Sequence, residues 1–494
     1  MIRPVGSKEE SPGLEVRVLD SASAPRGSNL LPTAYIADSL IVMTSSPGPL
    51  QTLEKILPEG VRLSAMPLVP RDLEHQTDSL ALTLQRVTLT YDSVDVPSVD
   101  LIRLTAQLRE ALGTRAVSLD HVVYTAPYIA GVPYIAGVPY IAGVPYIAGV
   151  SAMAQYATPG FGGRSPVALL IADPALSAPE PKRRPVVAML DTGLGNHPWF
   201  ADTALATEEV MYGPYLLGAH GNLPGAEWHE APVNPLDGSV PLEAGHGTFI
   251  CGIIRQLCPS ARLLAIPVLA DDGVVAESGL LVTLSALLAR HIDGVMTGNP
   301  DLVIDVLSLS LGYYHEDPND IAFDGPLGTV LAEFGSWGVA VVASAGNNGT
   351  TRPMYPAAFA AAPDDAHRVP QVTVGALNAD GSTTAYFSNA GPWVTAHRVG
   401  ASLVSTMPVS VSGDAQPAAK LTYLGRQRET PDPDTFDSGF ATWSGTSFAG
   451  PVLAGQIATA LLSDPELTTI THDAYVCRGR RAVAGALQEP EAKS

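Results

Sequence analysis

The chain has 494 residues, of which 46% are apolar, and its formal net charge at pH 7 is −21. This length predicts two or three domains, and the apolar content is sufficient for a sizeable hydrophobic core. Nucleic acids and anionic membranes are bound by clustered lysines and arginines, so the acidic balance argues against both as partners.

The N-terminal quarter of the chain predicts a small α+β domain. Residues 1–30 show no regular pattern and are expected to be disordered or irregular. Within residues 31–126, strand-like and helix-like segments follow one another in the order strand, helix, strand, strand, helix, strand. This order is typical of a split βαβ domain.

A short repeat separates this domain from the rest of the chain. The hexapeptide Pro-Tyr-Ile-Ala-Gly-Val occurs four times from Pro127 to Val150, and the stretch after it is again rich in Gly, Pro and Ala. A proline in every unit interrupts helices and β-ladders, so we interpret residues 127–185 as an extended linker. An elastic tether, a segment threaded through an active site and a docking strip are the functional alternatives.

Strands and helices alternate through residues 186–480. This alternation predicts an α/β fold, a parallel sheet with helices on both faces, and such sheets hold their sites at the carboxyl ends of strands. Residues 400–440 are expected to form an irregular loop with a surface hairpin, and residues 481–494 a C-terminal tail. The predicted strands are 186–190, 262–269, 302–311, 339–344 and 371–376, and the predicted helices lie near 247–256, 276–293, 325–337 and 448–462.

Three segments of this region carry the residue types of an activated serine. Asp191 ends an apolar strand, His246 lies between two glycines at the start of a helical stretch, and Ser447 precedes a long apolar helix. A serine hydroxyl becomes nucleophilic when an imidazole takes its proton, and a carboxylate holds that imidazole in the right tautomer. The three residues therefore predict a catalytic triad for acyl transfer.

The order of the triad in the chain distinguishes it from other serine hydrolases, which run Ser, Asp, His or His, Asp, Ser. Here the segments are Asp191-Thr192-Gly193, His246-Gly247-Thr248 and Gly445-Thr446-Ser447. In this order they resemble the signatures of the subtilisin-like serine peptidases. The resemblance implies a subtilisin-like catalytic domain and a serine endopeptidase. A serine esterase and a catalytically silent peptide-binding module are the alternatives.

The resemblance also implies roles for residues outside the triad. Asn347, in a turn after a buried strand, stands where the family keeps its oxyanion-hole amide. A Ser-Leu-Gly strand would pair with extended substrate, although Tyr313 replaces the glycine that usually follows it. Uncharged cleft walls would favour an apolar or aromatic residue before the cut. The implied substrate-binding residues are Ser310, Leu311, Gly312, Ser344, Ala345 and Gly346.

By its position and pattern, the domain at residues 31–126 resembles the propeptide that subtilisin-like enzymes carry ahead of the catalytic domain. Such a propeptide acts as a folding aid and an inhibitor. The resemblance therefore implies two partners, a polypeptide substrate and the chain's own N-terminal domain. The alternative is an accessory domain that stays attached and contributes stability or partner contacts.

No cofactor is expected. Some members of the family bind calcium, and Asp271-Asp272 is the candidate pair here, but adjacent acids in a loop are more often solvated. Cys251, Cys258 and Cys477 are an odd number and too few for a disulfide framework. The N-terminus lacks the pattern of a secretory signal, and no run of eighteen apolar residues follows, so a cytoplasmic location is expected.

Several other polar residues lack a catalytic pattern. His197 is expected to pack or to lie at the surface, and His315 to lie in a loop, because neither has a nucleophile nearby in sequence. Asp305 lies inside an apolar run, ahead of the Ser-Leu-Gly strand, and is expected to be buried and hydrogen-bonded near the site, with its role open. The basic cluster Lys182-Arg183-Arg184 is expected to be the solvated flank of the linker, with a processing site as the alternative.

Overall fold

The computed structural model describes eleven stretches of the chain. The repeat at residues 127–150 and the pair Asp271-Asp272 lie outside the described residues, so the predictions about them stay predictions. The described residues are 2–4, 15–19, 29–44, 48–69, 83–112, 117–125, 154–159, 162–219, 238–269, 273–317 and 325–488.

The N-terminal part contains six strands and two helices in the described residues. Four of the strands form an antiparallel sheet in the order β4-β5-β3-β6, and β2 pairs with the first half of β3. The predicted order of strands and helices is therefore confirmed. The elements are β1 (Ile2–Pro4), β2 (Val16–Leu19), β3 (Thr33–Thr44), α1 (Gly48–Ile56), β4 (Val61–Pro67), β5 (Thr83–Tyr91), α2 (Leu101–Leu112) and β6 (Val117–Thr125).

Both faces of this sheet are apolar. Successive side chains of β3 point to opposite faces, and both sets contain apolar residues. Leu40 and Val42 pack with Leu53 of α1 and with α2. Ile41 and Met43 belong instead to the core of the second part of the chain. The N-terminal domain thus docks through a buried sheet face.

The second part of the chain contains the parallel sheet. In chain order its elements are α3 (Ala154–Ala157), β7 (Ser165–Pro166), β8 (Val186–Asp191), β9 (Ala206–Thr207), β10 (Met211–Tyr212), β11 (Tyr215–Leu217), α4 (His246–Leu257), β12 (Arg262–Pro267), β13 (Val274–Ala276), α5 (Glu277–Thr297), β14 (Val306–Leu309), β15 (Leu311–Gly312), α6 (Pro326–Ser336), β16 (Ala340–Ser344), β17 (Val372–Leu377), β18 (Ala396–Val399), β19 (Leu403–Thr406), β20 (Lys420–Tyr423), β21 (Arg426–Glu429), β22 (Phe440–Trp443), α7 (Thr446–Leu462) and α8 (His472–Leu487).

Seven of these strands pair in parallel in the order β18-β17-β16-β14-β8-β12-β9. Along β8, Val187 and Met189 pack with α4 and α7, whereas Ala188 and Leu190 pack with α5 and α6. Helices therefore cover both faces, and the predicted α/β fold class is confirmed. The exposed pair β20–β21 is the hairpin expected within residues 400–440.

Among the described residues, α5 is the one helix long and apolar enough to cross a membrane. However, 78% of its most apolar window is buried inside the protein. Leu280, Leu281 and Leu284 lie in the same core as Ile41 and Met43 of β3. We therefore interpret α5 as a core helix between the two sheets.

The predicted strand 302–311 begins later than expected, at Val306, because the chain first makes a turn in which the Leu302 N–H donates to the Asn299 carbonyl oxygen. Asp305, just before the strand, is engaged in a buried ion-pair network. Its carboxylate lies 2.8 Å from Arg183 Nη2 and 3.3 Å from Arg478 Nη2, and it accepts a hydrogen bond from the Val186 backbone N–H. Burial alone would raise the pKa of Asp305, but the two arginines lower it overall. The prediction of a solvated basic cluster is wrong for Arg183, which is buried.

Asp305→Ala should lower the free energy of unfolding by about 3–5 kcal/mol, because it leaves two buried guanidinium groups without their carboxylate. Urea unfolding followed by circular dichroism measures the change. The matched control is Asp301→Ala, whose carboxylate is 85% exposed and lies 3.9 Å from Arg262. Equal losses in the two variants would contradict the assignment.

Candidate active site

Asp191 and His246 meet at the carboxyl end of the parallel sheet. Asp191 is the last residue of β8, His246 is the first residue of α4, and Nδ1 of the imidazole lies 2.7 Å from Oδ1 of the carboxylate. The two elements approach closely because a Cβ at Gly247 would collide with the carbonyl oxygen of Gly193. Burial alone would lower the pKa of His246, but Asp191 raises it overall.

Ser447 is the second residue of α7, where backbone N–H groups have no partner inside the helix. Its neighbour Phe448 has its ring centroid 5.3 Å from that of His246, so the start of α7 lies against the imidazole. Within the described part of the chain, neither Ser447 Oγ nor His246 Nε2 has a hydrogen-bond partner. The three predicted residues are thus brought together and buried, with the hydroxyl not yet bonded to the imidazole.

Asn347 follows β16 and faces the same helix start. Its Oδ1 accepts hydrogen bonds from the N–H and the hydroxyl of Thr446, both at 2.8 Å, and this fixes the orientation of the amide. The Nδ2 atom is buried and has no partner among the residues described. A donor that the protein does not use is therefore held next to Ser447.

The other predicted cleft residues fall into two groups. Ser310 Oγ donates to the Ser447 carbonyl oxygen at 2.8 Å, and Ser344 Oγ and the Gly346 N–H bond to Thr446, so these residues brace the start of α7. Ala345 N donates to the Val374 carbonyl oxygen in the sheet. The second group, Leu311 and Gly312, forms β15 and is paired with another strand.

That strand is β6 of the N-terminal domain. Leu311 lies opposite Thr125 and Gly312 opposite Tyr124, both in antiparallel register. On its other side β6 pairs with β13, where Ala276 lies opposite Val122. The predicted substrate strand is thus occupied by the chain itself.

The N-terminal domain also supplies a helix cap that the sequence pattern did not reveal. Asp120 Oδ1 accepts from the Ser278 backbone N–H at 2.9 Å, and Oδ2 accepts from the Ser278 hydroxyl at 2.7 Å. Ser278 is the second residue of α5, so a free N–H of that helix is satisfied by the other domain. The cap lies 158 positions away in sequence, where no local signal can indicate it.

A buried cluster around His121 joins the two domains. Nδ1 of His121 lies 2.9 Å from Glu277 Oε2, and Nε2 lies 2.9 Å from Glu316 Oε2. Burial alone would lower the pKa of His121, but the two carboxylates raise it to about 9. The titratable and charged groups that face this imidazole are Asp120, Glu277, Glu316, His315, Tyr313 and Arg109.

The same cluster contains the one group of described side chains close enough to hold a metal ion. His121, His315 and Glu316 offer ligand atoms that all lie within 4.8 Å of one another. However, His121 and Glu316 already form a hydrogen bond with each other through Nε2 and Oε2. Burial lowers the pKa of His315 to about 3, so His121 carries the positive charge between the two carboxylates.

Arg164 lies in the stretch predicted as linker and was missed as a site residue. Its Nη1 donates to three carbonyl oxygens, of Pro241, Leu242 and Ala244, at 2.9–3.1 Å. Its guanidinium also lies over the ring of Trp443, 5.1 Å from the centroid. Arg164 thereby fixes the loop that leads into His246.

Comparisons with known proteins show the family to which this chain belongs. A model described as the subtilase family matches residues 182–479. The serine protease AprX of Bacillus subtilis (strain 168) is 30% identical over 306 residues, which cover 57% of this chain and 58% of that protein, so the match spans less than two thirds of this relative. Subtilisin BL of Lederbergia lenta is 27% identical over 293 residues, 58% of this chain and 78% of that protein. A crystal structure of a cold-adapted subtilisin-like serine proteinase matches with a TM-score of 0.37 and 19% identity, over 63% of this chain and 86% of that chain.

The raised pKa of His121 predicts a pH-dependent attachment of the N-terminal domain. The charged imidazole stabilises the docked state fully below its usual pKa of 6.5, and this contribution disappears as the pH rises through about 9. Urea unfolding between pH 6 and pH 10, followed by circular dichroism, should therefore show a loss on the order of 3 kcal/mol.

His121→Asn should be less stable than the wild type at neutral pH and should lack this loss. The control is His472→Asn, because His472 is about half exposed and does not contact the N-terminal domain in the described residues. Parallel pH profiles for the wild type and His121→Asn would contradict the prediction.

Proposed function

Because the chain belongs to the subtilase family, we propose that it is a serine endopeptidase that hydrolyses polypeptides with Ser447 as nucleophile. The observation that carries the proposal is the 2.7 Å contact between His246 Nδ1 and Asp191 Oδ1, beside the helix start that holds Ser447. A carboxylate in this position fixes the imidazole tautomer, so Nε2 is left as the base.

In the first half of the proposed reaction, Ser447 Oγ attacks the carbonyl carbon of the peptide while His246 Nε2 takes the hydroxyl proton. Asp191 stabilises the imidazolium that forms. The electron pair of the carbonyl moves to its oxygen, where Asn347 Nδ2 and the Ser447 backbone N–H donate hydrogen bonds. His246 then gives its proton to the amine, the C–N bond breaks, and an ester of Ser447 remains.

In the second half, water replaces the amine. His246 Nε2 takes a proton from the water as its oxygen attacks the ester, and the same two donors stabilise the oxyanion. Collapse of this intermediate breaks the bond to Ser447 Oγ, which recovers its proton from His246. The partial positive charge at the N-terminus of α7 favours the negative charge in both halves.

We further propose that the N-terminal domain inhibits the enzyme by occupying the substrate's place. The support is the position of β6, which forms a third strand between β13 and β15 and ends at Thr125. Peptides that add a strand to a sheet bind mainly through backbone hydrogen bonds, which any extended segment can supply. A substrate would therefore compete with β6 for the same edge.

A fluorophosphonate probe tests the proposed nucleophile directly. The intact mass of the wild type should increase by one probe, and that of Ser447→Ala should not, because the probe reacts with activated serines. If the intact protein is not labelled, limited proteolysis within the repeat before labelling shows whether the N-terminal domain covers Ser447 or whether Ser447 is inactive. No labelling after this treatment would favour the silent peptide-binding module, and hydrolysis of esters but not peptides would favour the esterase.

Asn347→Ala should lower kcat by 100- to 1,000-fold with a much smaller change in KM, because one oxyanion donor contributes about 2.7–4 kcal/mol. Asn347→Asp is the matched variant, since it keeps an oxygen acceptor for Thr446 but lacks the N–H donor. Both variants should lose activity. Asn347→Ala should also unfold at a lower temperature, because it leaves the two Thr446 donors without their acceptor, whereas Asn347→Asp keeps that acceptor. Wild-type kcat in Asn347→Asp would rule out this role for the amide.

A further inference from the structure

We propose that Glu243 is a specificity-determining residue of the cleft, and that it selects peptides with a hydroxyl side chain, threonine or serine, at the strand position now occupied by Thr125. The inference deepens the proposed function and rests on it, because it takes β6 as the occupant of the substrate's place. The chemical class of substrate is an extended peptide with a hydrogen-bond donor at one defined position.

Glu243 is held close to the catalytic imidazole by its own backbone. Its carbonyl oxygen accepts a hydrogen bond from the His246 backbone N–H at 3.0 Å. Arg164 binds the carbonyl oxygens of the residues on either side, Leu242 and Ala244. The side chain is only 5% exposed, so the carboxyl group lies inside the cleft and not at its rim.

The side chains of Glu243 and Thr125 meet over Gly273. A Cβ at Gly273 would lie 2.6 Å from Glu243 Cγ and 2.8 Å from Thr125 Oγ1, so both side chains use the space that this glycine leaves open. The Thr125 N–H also donates to the Gly273 carbonyl oxygen at 2.9 Å, which fixes the strand against this residue. The Thr125 hydroxyl hydrogen bonds to the Glu243 carboxyl group.

The electrostatics of Glu243 explain why a donor is needed at this position. Burial raises the pKa of Glu243, and its Oε2 atom has no hydrogen-bond partner among the residues described. Nη1 of Arg164 donates to the backbone carbonyl oxygens of the loop and not to this carboxylate. An apolar side chain in place of Thr125 would therefore leave a buried carboxyl group without the donor that the strand now provides.

The space around Thr125 favours a short donor over a long cation. Thr125 is only 3% exposed and is enclosed by Glu243, Gly273 and the paired Leu311. A lysine would have to place a four-carbon stem where a single hydroxyl now reaches the carboxyl group. Serine and threonine therefore fit the subsite, whereas valine matches the shape of threonine without its donor.

The test uses quenched fluorescent peptide libraries in which each position in turn is fixed as Thr, Val, Ser or Lys. The enzyme is the purified full chain, including any form it produces by its own cleavage. One position should show kcat/KM about 10- to 100-fold higher for Thr than for Val, the range expected when a buried polar group is left without its partner. At that position, kcat/KM for Ser should be close to that for Thr, and kcat/KM for Lys should be close to that for Val.

Glu243→Leu should reduce the Thr to Val ratio at that position to near 1 and leave the ratios at all other positions unchanged. Glu243→Ala is the second variant in case the leucine variant does not fold. A merely structural role of Glu243 would lower kcat/KM for all peptides together and would not change the ratio. The proposal is overturned if the wild type shows no Thr preference at any position, or if the preference survives in the folded variant.

These outcomes are distinct from failure of the proposed function. If no library peptide is cut and the fluorophosphonate probe does not label Ser447, the endopeptidase proposal fails and this inference loses its premise. If peptides are cut with equal efficiency for Thr and Val, the endopeptidase proposal stands and only the role of Glu243 is rejected. A preference for Lys over Thr would reject the hydroxyl class in favour of basic peptides.

Discussion

The insertion of β6 between β13 and β15 is the interaction on which the arrangement of this molecule depends. It joins two units that each have a sheet of their own, and it places a strand of the first unit along the active site of the second. The hydrogen bonds of β6 pair the backbone groups of both neighbouring strands, β13 and β15. In a cleft open to water, these groups could bond to water instead. Ser447, His246 and Asp191 are buried in this form, in which the predicted substrate strand is already paired.

Polar groups that this docking buries must find partners, because an unpaired buried charge is strongly unfavourable. The contact surface meets this requirement through Asp120, which caps α5, and through His121, which lies between Glu277 and Glu316. Such groups fix the register of β6, since a shift by one residue would turn these side chains to the opposite face. The apolar contacts of Ile41 and Met43 add buried area, but they constrain the register of β6 much less because apolar contacts have no preferred direction.

Periodic and local features of this chain were predictable, whereas contacts between distant segments were not. Apolar runs and glycine turns predict the parallel sheet, and Asp191 and the Asn347 turn were expected at the carboxyl ends of its strands. No local pattern in the sequence identifies Arg164, His121 or Glu243, since their partners become neighbours only after the chain has folded. The ion-pair partners of Asp305 carry no local signal either, because Arg183 and Arg478 lie 122 and 173 positions away.

The residues before and after the repeat lie in different parts of the molecule. Thr125, before it, is the last described residue of the strand in the cleft, whereas Arg164, after it, clamps the loop that enters α4. The pairing of β7 with β22 keeps Arg164 on the catalytic unit. A cut between these two residues would therefore remove the covalent tie between β6 and the catalytic unit while leaving the loop before His246 fixed. Once β6 dissociates, the site would keep the groups that position its base.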